Sequence, residues 1–141
     1  MYQDDYSTLD YAMNILLVAA NASGSDFDEF LREAGHNVTV AESAAAALDR
    51  SQSKDFDAVI VDEALPGLSG FELVERMKLD NLTDGIAKPV LMLVNNHVGS
   101  ELAIRHGADS VIFKNTDQLL FASGLSARLR EVEAALNDLP G

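Results

Sequence analysis

The sequence predicts a three-layer α/β domain, a doubly wound five-stranded parallel sheet of order 2-1-3-4-5 with helices on both faces. Three observations carry that expectation. Short, uniformly apolar runs recur along the chain, each is followed by a stretch whose apolar residues fall three or four apart, and only brief polar turns separate them. Uniform apolar runs suit strands buried on both faces, and alternation of strand with helix builds a parallel sheet through right-handed crossovers. Five such units within 141 residues suit the shorter of the two common doubly wound orders.

Residues 1–13 scatter Asp4, Asp5 and Asp10 among Tyr2, Tyr6 and Tyr11 without a period, and read as an N-terminal tail. Residues 14–20 form the first apolar run, stopped by the polar turn 21–25. Ser25 can cap a helix, Asp26 and Asp28 favour its first turn, and Phe27, Phe30, Leu31 and Ala34 share one face up to the breaker Gly35. A second strand is expected over 37–40 and an alanine-rich helix, capped by Ser43, through Leu48. A third strand follows over 57–62, then a helix over 70–79 with Phe71, Val74, Met77 and Lys78 in helical spacing. Residues 89–94 are a fourth buried run, 102–106 a short helix closed by Gly107, and 111–113 a fifth strand. A last helix is expected over 116–136, interrupted by Gly124, with Leu119, Leu120, Leu125, Leu129, Val132 and Leu136 covering the sheet. Its end alternates Arg128 and Arg130 with Glu131 and Glu133, as a dimerising surface or a lead into an output domain would. The domain therefore spans 14–137, with 138–141 a C-terminal tail.

Composition narrows the function. Twenty-three acidic against 10 basic side chains leave a net charge of -13, which repels nucleic acid and anionic membranes. The same charge suits a basic protein partner, high solubility or a saline environment. There is no cysteine, so disulfides, thiolate metal sites and a cysteine nucleophile are excluded. The longest strongly apolar run falls far short of the roughly 20 residues of a membrane helix, and the N-terminus is acidic where a signal peptide is basic. A cytoplasmic location is the expectation. His36, His97 and His106 lack ligand spacing, and His106 is placed to cap a helix end. No Ser-His-Asp set can be assembled, so an independent enzyme is not expected.

The apolar strand Val59, Ile60, Val61 ending in Asp62, then Pro66, Gly67 and a helix-opening Gly70, resembles the phosphorylation-site region of response-regulator receivers. The run from Gly107 through Ala108 and Asp109 to Lys114 looks like that family's approach to its site lysine, and residues 89–93 resemble its fourth strand. The likeness covers 14 to about 137 and implies the flavodoxin-like, CheY-like fold. Family chemistry implies phosphoryl transfer from a histidine kinase to the Asp62 position, helped by Mg²⁺ that screens the approaching negative charges.

Carried over residue by residue, the resemblance also implies loss. The acidic pair that holds Mg²⁺ at the end of the first strand corresponds to Ala19 and Ala20, which leaves Asp62 and the Ala64 carbonyl as ligands. A methyl group cannot ligate a metal, so no cofactor is expected. The family's hydroxyl residue ending the fourth strand is Val94 here, and its switching aromatic on the fifth strand is Val111. Asn115 replaces the proline after the lysine, and the segment between Val94 and Gly107 is short, which trims the start of the fourth helix. The implied function is a degenerate pseudo-receiver that works by protein contact, with Asp62 and Lys114 retained as a structural ion pair. Partners would be a histidine kinase, an output protein or a second copy, with Leu102, Phe113 and Phe121 as interface candidates on the face of the fourth helix, fifth strand and fifth helix. Two alternatives stay open: a working phosphoreceiver in which Glu63 or the 21–25 loop supplies a substitute ligand, and a module that binds an anion or nucleotide in that loop.

Overall fold

In the computed structural model the described residues are 13–53, 56–84, 89–114 and positions 127, 130, 131 and 134. Among the described residues nine elements run in strict alternation: β1 (Asn14–Val18), α1 (Asp26–Glu33), β2 (Asn37–Ala41), α2 (Ala44–Ser53), β3 (Ala58–Asp62), α3 (Gly70–Asp84), β4 (Val90–Val94), α4 (His97–Arg105) and β5 (Ser110–Phe113). The strands form one parallel sheet of order β2-β1-β3-β4-β5, the order expected. Of the last helix, positions 127, 130, 131 and 134 are helical and exposed, while Phe121 lies outside the described residues.

Alternation along each strand sends neighbouring side chains to opposite faces. Leu16, Val18, Val59, Val61, Met92 and Val94 join the core cluster that Leu73, Val74 and Met77 of α3 and Ala103 of α4 also enter. Ile15, Leu17, Ala19, Ala58, Ile60, Leu93 and Ile112 join the other, against Leu31 of α1 with Phe27 and Phe30 at its margin. Met13, assigned to the tail from sequence, is fully buried in this second cluster. Its backbone N–H donates to Nδ1 of the buried His36 at 3.1 Å, so that ring nitrogen acts as an acceptor.

Three helices differ in extent from the expectation. α2 continues to Ser53 and α3 to Asp84. The larger correction is α4, which starts at His97 and not near Leu102. Its N-cap is Asn96, whose side chain accepts from the Gly99 N–H at 3.0 Å. Val98 and Gly99 are weak helix formers and hide the start in the sequence, but the cap supplies the partner that an orphan N–H requires. His106 does cap the far end, its Nδ1 lying 2.8 Å from the Leu102 carbonyl oxygen. Among the described residues no helix is long and apolar enough to cross a membrane.

Candidate functional site

The carboxyl ends of the strands, where an open α/β sheet presents its ligand-binding crevice, bring together most of the residues singled out in the sequence. Asp62, the last residue of β3, is two residues beyond Ile60 and so falls on the α1 side of the sheet by strand alternation, and Lys114 follows directly after β5. Lys114 Nζ donates to both oxygens of Asp62, at 2.9 Å to Oδ1 and 3.0 Å to Oδ2. The Asp62 side chain is only 12% exposed and that of Lys114 22%, so the pair sits at the edge of the core, largely out of water. The Ala64 N–H adds a third bond to Asp62 Oδ1, at 2.9 Å. A carboxylate taken this far from solvent needs such charge-assisted partners, and here both oxygens have one.

The loop that follows is built around glycine. Gly67 has φ 79, the left-handed region that glycine adopts without strain. Gly70 opens α3 with its N–H donating to the Glu63 carbonyl at 3.1 Å, and its Cα packs directly on the Asp62 backbone. Ser69 Oγ accepts from the Glu72 N–H at 3.2 Å, while Glu72 Oε1 lies 3.4 Å from the Ser69 N–H, a reciprocal cap. The proline and glycines of the motif thus return the chain against the end of the strand that carries Asp62.

Ala19 shares the Asp62 side of the sheet but is buried in the core, and Ala20 is exposed. Glu63 does not turn toward Asp62. Its Oε1 accepts the N–H of Asn95 at 3.0 Å, beyond the end of β4. Among the described residues no three acidic or histidine side chains gather in a metal-ligand cluster. Two methyl groups stand at the β1 end, and Lys114 engages both oxygens of the Asp62 carboxylate.

Val94 and Val111 lie on the opposite side of the sheet, in or against the α3 and α4 core. Val94 is fully buried, so it acts as packing. An aromatic contact between β5 and α4 exists one step further along, where Phe113 meets His97 edge-on with ring centroids 5.4 Å apart. Leu102 and Phe113 are both partly buried.

The polar 21–25 loop is already supplied with anions from within. Asn21 and Gly24 take positive φ values of 57 and 75. The Gly24 N–H donates to Asp28 Oδ2 at 2.9 Å, the Ser23 N–H to Glu42 Oε2 at 3.2 Å, and Ser25 Oγ caps the Asp28 N–H at 3.2 Å. Asp28 is itself paired with Arg32 at 2.6 Å.

Asp109, read from sequence only as part of a motif, has a structural task. Its Oδ2 accepts from the Val90 N–H at 2.7 Å and from Lys78 Nζ at 2.9 Å, tying α3 to the start of β4 and β5. Its preceding Gly107, with φ 107, lies against the Lys78 stem, and that pair of contacts is the signal that a sequence alone does not display. A separate polar cavity of about 450 Å³, lined by Asn14, Arg32, His36, Asn37 and Thr39 among others, opens at the amino ends of the strands.

Comparison with known proteins agrees with this geometry. A family model described as the response regulator receiver domain matches residues 11–123. The chain is 39% identical over 107 residues to the transcriptional regulatory protein TcrA of Mycobacterium tuberculosis, covering 71% of this chain and 37% of that protein. It is 33% identical over 63 residues to the sensory/regulatory protein RpfC of Xanthomonas campestris, covering 45% of this chain and 9% of that one. The chain therefore spans well under half the length of these relatives. Among solved structures, a protein described as a response regulator from Chloroflexus aurantiacus superposes with a TM-score of 0.74 at 27% identity, covering 87% of this chain and 98% of that one. The chemotaxis response regulator CheY4 of Vibrio cholerae gives 0.70 at 25% identity, covering 86% and 98%. With the predicted sheet order, the Asp62–Lys114 pair and a family match across most of the chain, this protein belongs to the response regulator receiver domain family.

Proposed function

We propose that this receiver serves two-component signal transduction as a protein-interaction module that works without phosphorylation. One observation carries the reading: Lys114 and the Ala64 amide engage both oxygens of Asp62, while the end of β1 offers Ala19 and Ala20 where Mg²⁺ would need carboxylates. A phosphoryl donor meeting Asp62 would face a carboxylate already neutralised by an ammonium group, without the divalent charge that brings two anions together. The module is not an enzyme in this reading, needs no metal and acts in the cytoplasm. It spans 14–137 and contacts a histidine kinase or an output protein through the α4–β5 face and the helix after it, where Leu102 and Phe113 sit. The same face would serve a homodimer. Similarity to the sensor histidine kinase AruS of Pseudomonas aeruginosa, 38% over 74 residues, fits a module that belongs beside kinases.

The test is incubation with acetyl phosphate and Mg²⁺, followed by mass measurement of the intact chain and of the peptide holding Asp62. The expected result is no added phosphoryl mass. An adduct on Asp62 would replace this reading with the phosphoreceiver, which the retained Asp62–Lys114 geometry favours as the second choice.

The anion-binding alternative makes a different demand. Because the Ser23 and Gly24 amides already donate to Glu42 and Asp28, inorganic phosphate and nucleotides should leave the melting temperature unchanged. A concentration-dependent rise, lost in Gly24→Pro, would restore that alternative.

A further inference from the structure

Glu63 occupies a place that neither the ion pair nor the core explains. It is the first residue after β3, and its backbone is held on both sides: its N–H donates to the Leu93 carbonyl at 3.0 Å, and its carbonyl accepts from Gly70 at 3.1 Å. From this fixed base the side chain crosses to the turn between β4 and α4, where Oε1 accepts the Asn95 N–H at 3.0 Å. The carboxylate also lies against the first turn of α4. A Cβ added to Gly99 would stand 2.5 Å from Oε1 and 3.5 Å from Cδ of Glu63, and 3.2 Å from Cβ of Val94.

Two features of α4 match this seat. Its first turn carries no acidic residue of its own, so the positive end of the helix is complemented by a carboxylate from another element. Gly99 is buried and is not among the residues with positive φ, so backbone freedom does not account for a glycine there. Glycine weakens a helix relative to alanine, and the space beside it is taken by the Glu63 carboxylate and, at 3.2 Å, by Val94 Cβ.

We propose that Glu63 is a positioning residue that pins the β4–α4 turn and the start of α4 to the residue next to Asp62. The chain thereby holds α4 in one place with an internal anion, by a route that bypasses Val94 and Val111. The turn and the first turn of α4 are then a single unit with the end of β3, and a partner that reads α4 reads the pinned state. This holds whether or not Asp62 accepts a phosphoryl group, so it and the proposed function are tested by separate measurements.

Amide hydrogen exchange on the whole chain, read by mass spectrometry, provides the test. Glu63→Ala should raise exchange of the amides at 95–100 by about fivefold, the loss of one charge-assisted bond, while peptides from β1 and β2 keep their native rates. Glu63→Gln, which keeps an uncharged acceptor, should fall between. A second arm uses Gly99→Ala. It should lower the melting temperature of the native chain by more than that of the Glu63→Ala background, where the oxygen that its Cβ would strike is gone and only the contact with Val94 Cβ remains. Unchanged exchange at 95–100 in Glu63→Ala, or an equal thermal loss for Gly99→Ala in both backgrounds, would overturn the proposal.

Discussion

Lys114→Ala should lower the free energy of unfolding by about 2 kcal/mol, the cost of leaving a nearly buried carboxylate without its cation. Breaking a fully buried pair costs about 3–5 kcal/mol. The present pair lies at the mouth of the crevice, with side chains 12% and 22% exposed, so water recovers part of that cost. For a domain of this size the melting temperature should fall by roughly 8 °C, measurable by circular dichroism or calorimetry. Asp62→Asn should cost less, because the more exposed lysine can turn its ammonium group into solvent. In the double variant Asp62→Asn with Lys114→Ala, part of the loss should return, since no charge is then left in the crevice. An unchanged melting temperature for Lys114→Ala would remove the structural role of the pair and with it the main support for retaining these two residues without phosphorylation.

Gly70→Ala should be more damaging still, by about 3 kcal/mol or more. Its Cβ would overlap the Asp62 carbonyl oxygen and stand 2.8 Å from Glu63 Cα and 3.0 Å from the Asp62 carbonyl carbon. All three are backbone atoms, so no side-chain rotation relieves the clash, and α3 must withdraw from the end of β3. Withdrawal would break the Gly70 N–H bond to Glu63 and disturb the backbone on both sides of the Asp62 carboxylate. Urea titration should show a lower midpoint, with soluble expression reduced. A Gly70→Ala variant as stable as the native chain would mean that α3 starts elsewhere. The contrast with Gly67 is useful. An added Cβ there meets nothing within 4 Å, and the cost of Gly67→Ala comes only from its φ of 79, about 1 kcal/mol.

These expectations rest on features that differ in how far the sequence exposes them. The sheet order was readable because the five-residue strands β1, β3 and β4 are apolar apart from Asn14 at the start of β1 and Asp62 at the end of β3, a pattern that suits a sheet covered on both faces. Asp62 and Lys114 were readable because the residues that follow the one and those that lead to the other resemble receiver motifs. The start of α4 was not, since Val98 and Gly99 give a weak helical signal and the cap at Asn96 is one polar residue among several. The destination of Glu63 was hidden for a related reason. Strand alternation assigns it the face opposite Asp62, but β3 ends at Asp62, and beyond the strand that rule no longer applies.

The sequence by itself determined the fold class, because apolar periodicity is a local property that survives without coordinates, and the resemblance of its 59–73 and 107–114 segments to receiver motifs pointed to the family and to Asp62 and Lys114. Only the tertiary structure decided what the other carboxylates meet: Asn95 and the Gly99 turn for Glu63, the loop amides for Asp28 and Glu42. Side-chain partners in a parallel sheet come from strands distant in the chain, and short-range polar geometry is set only when those strands have packed.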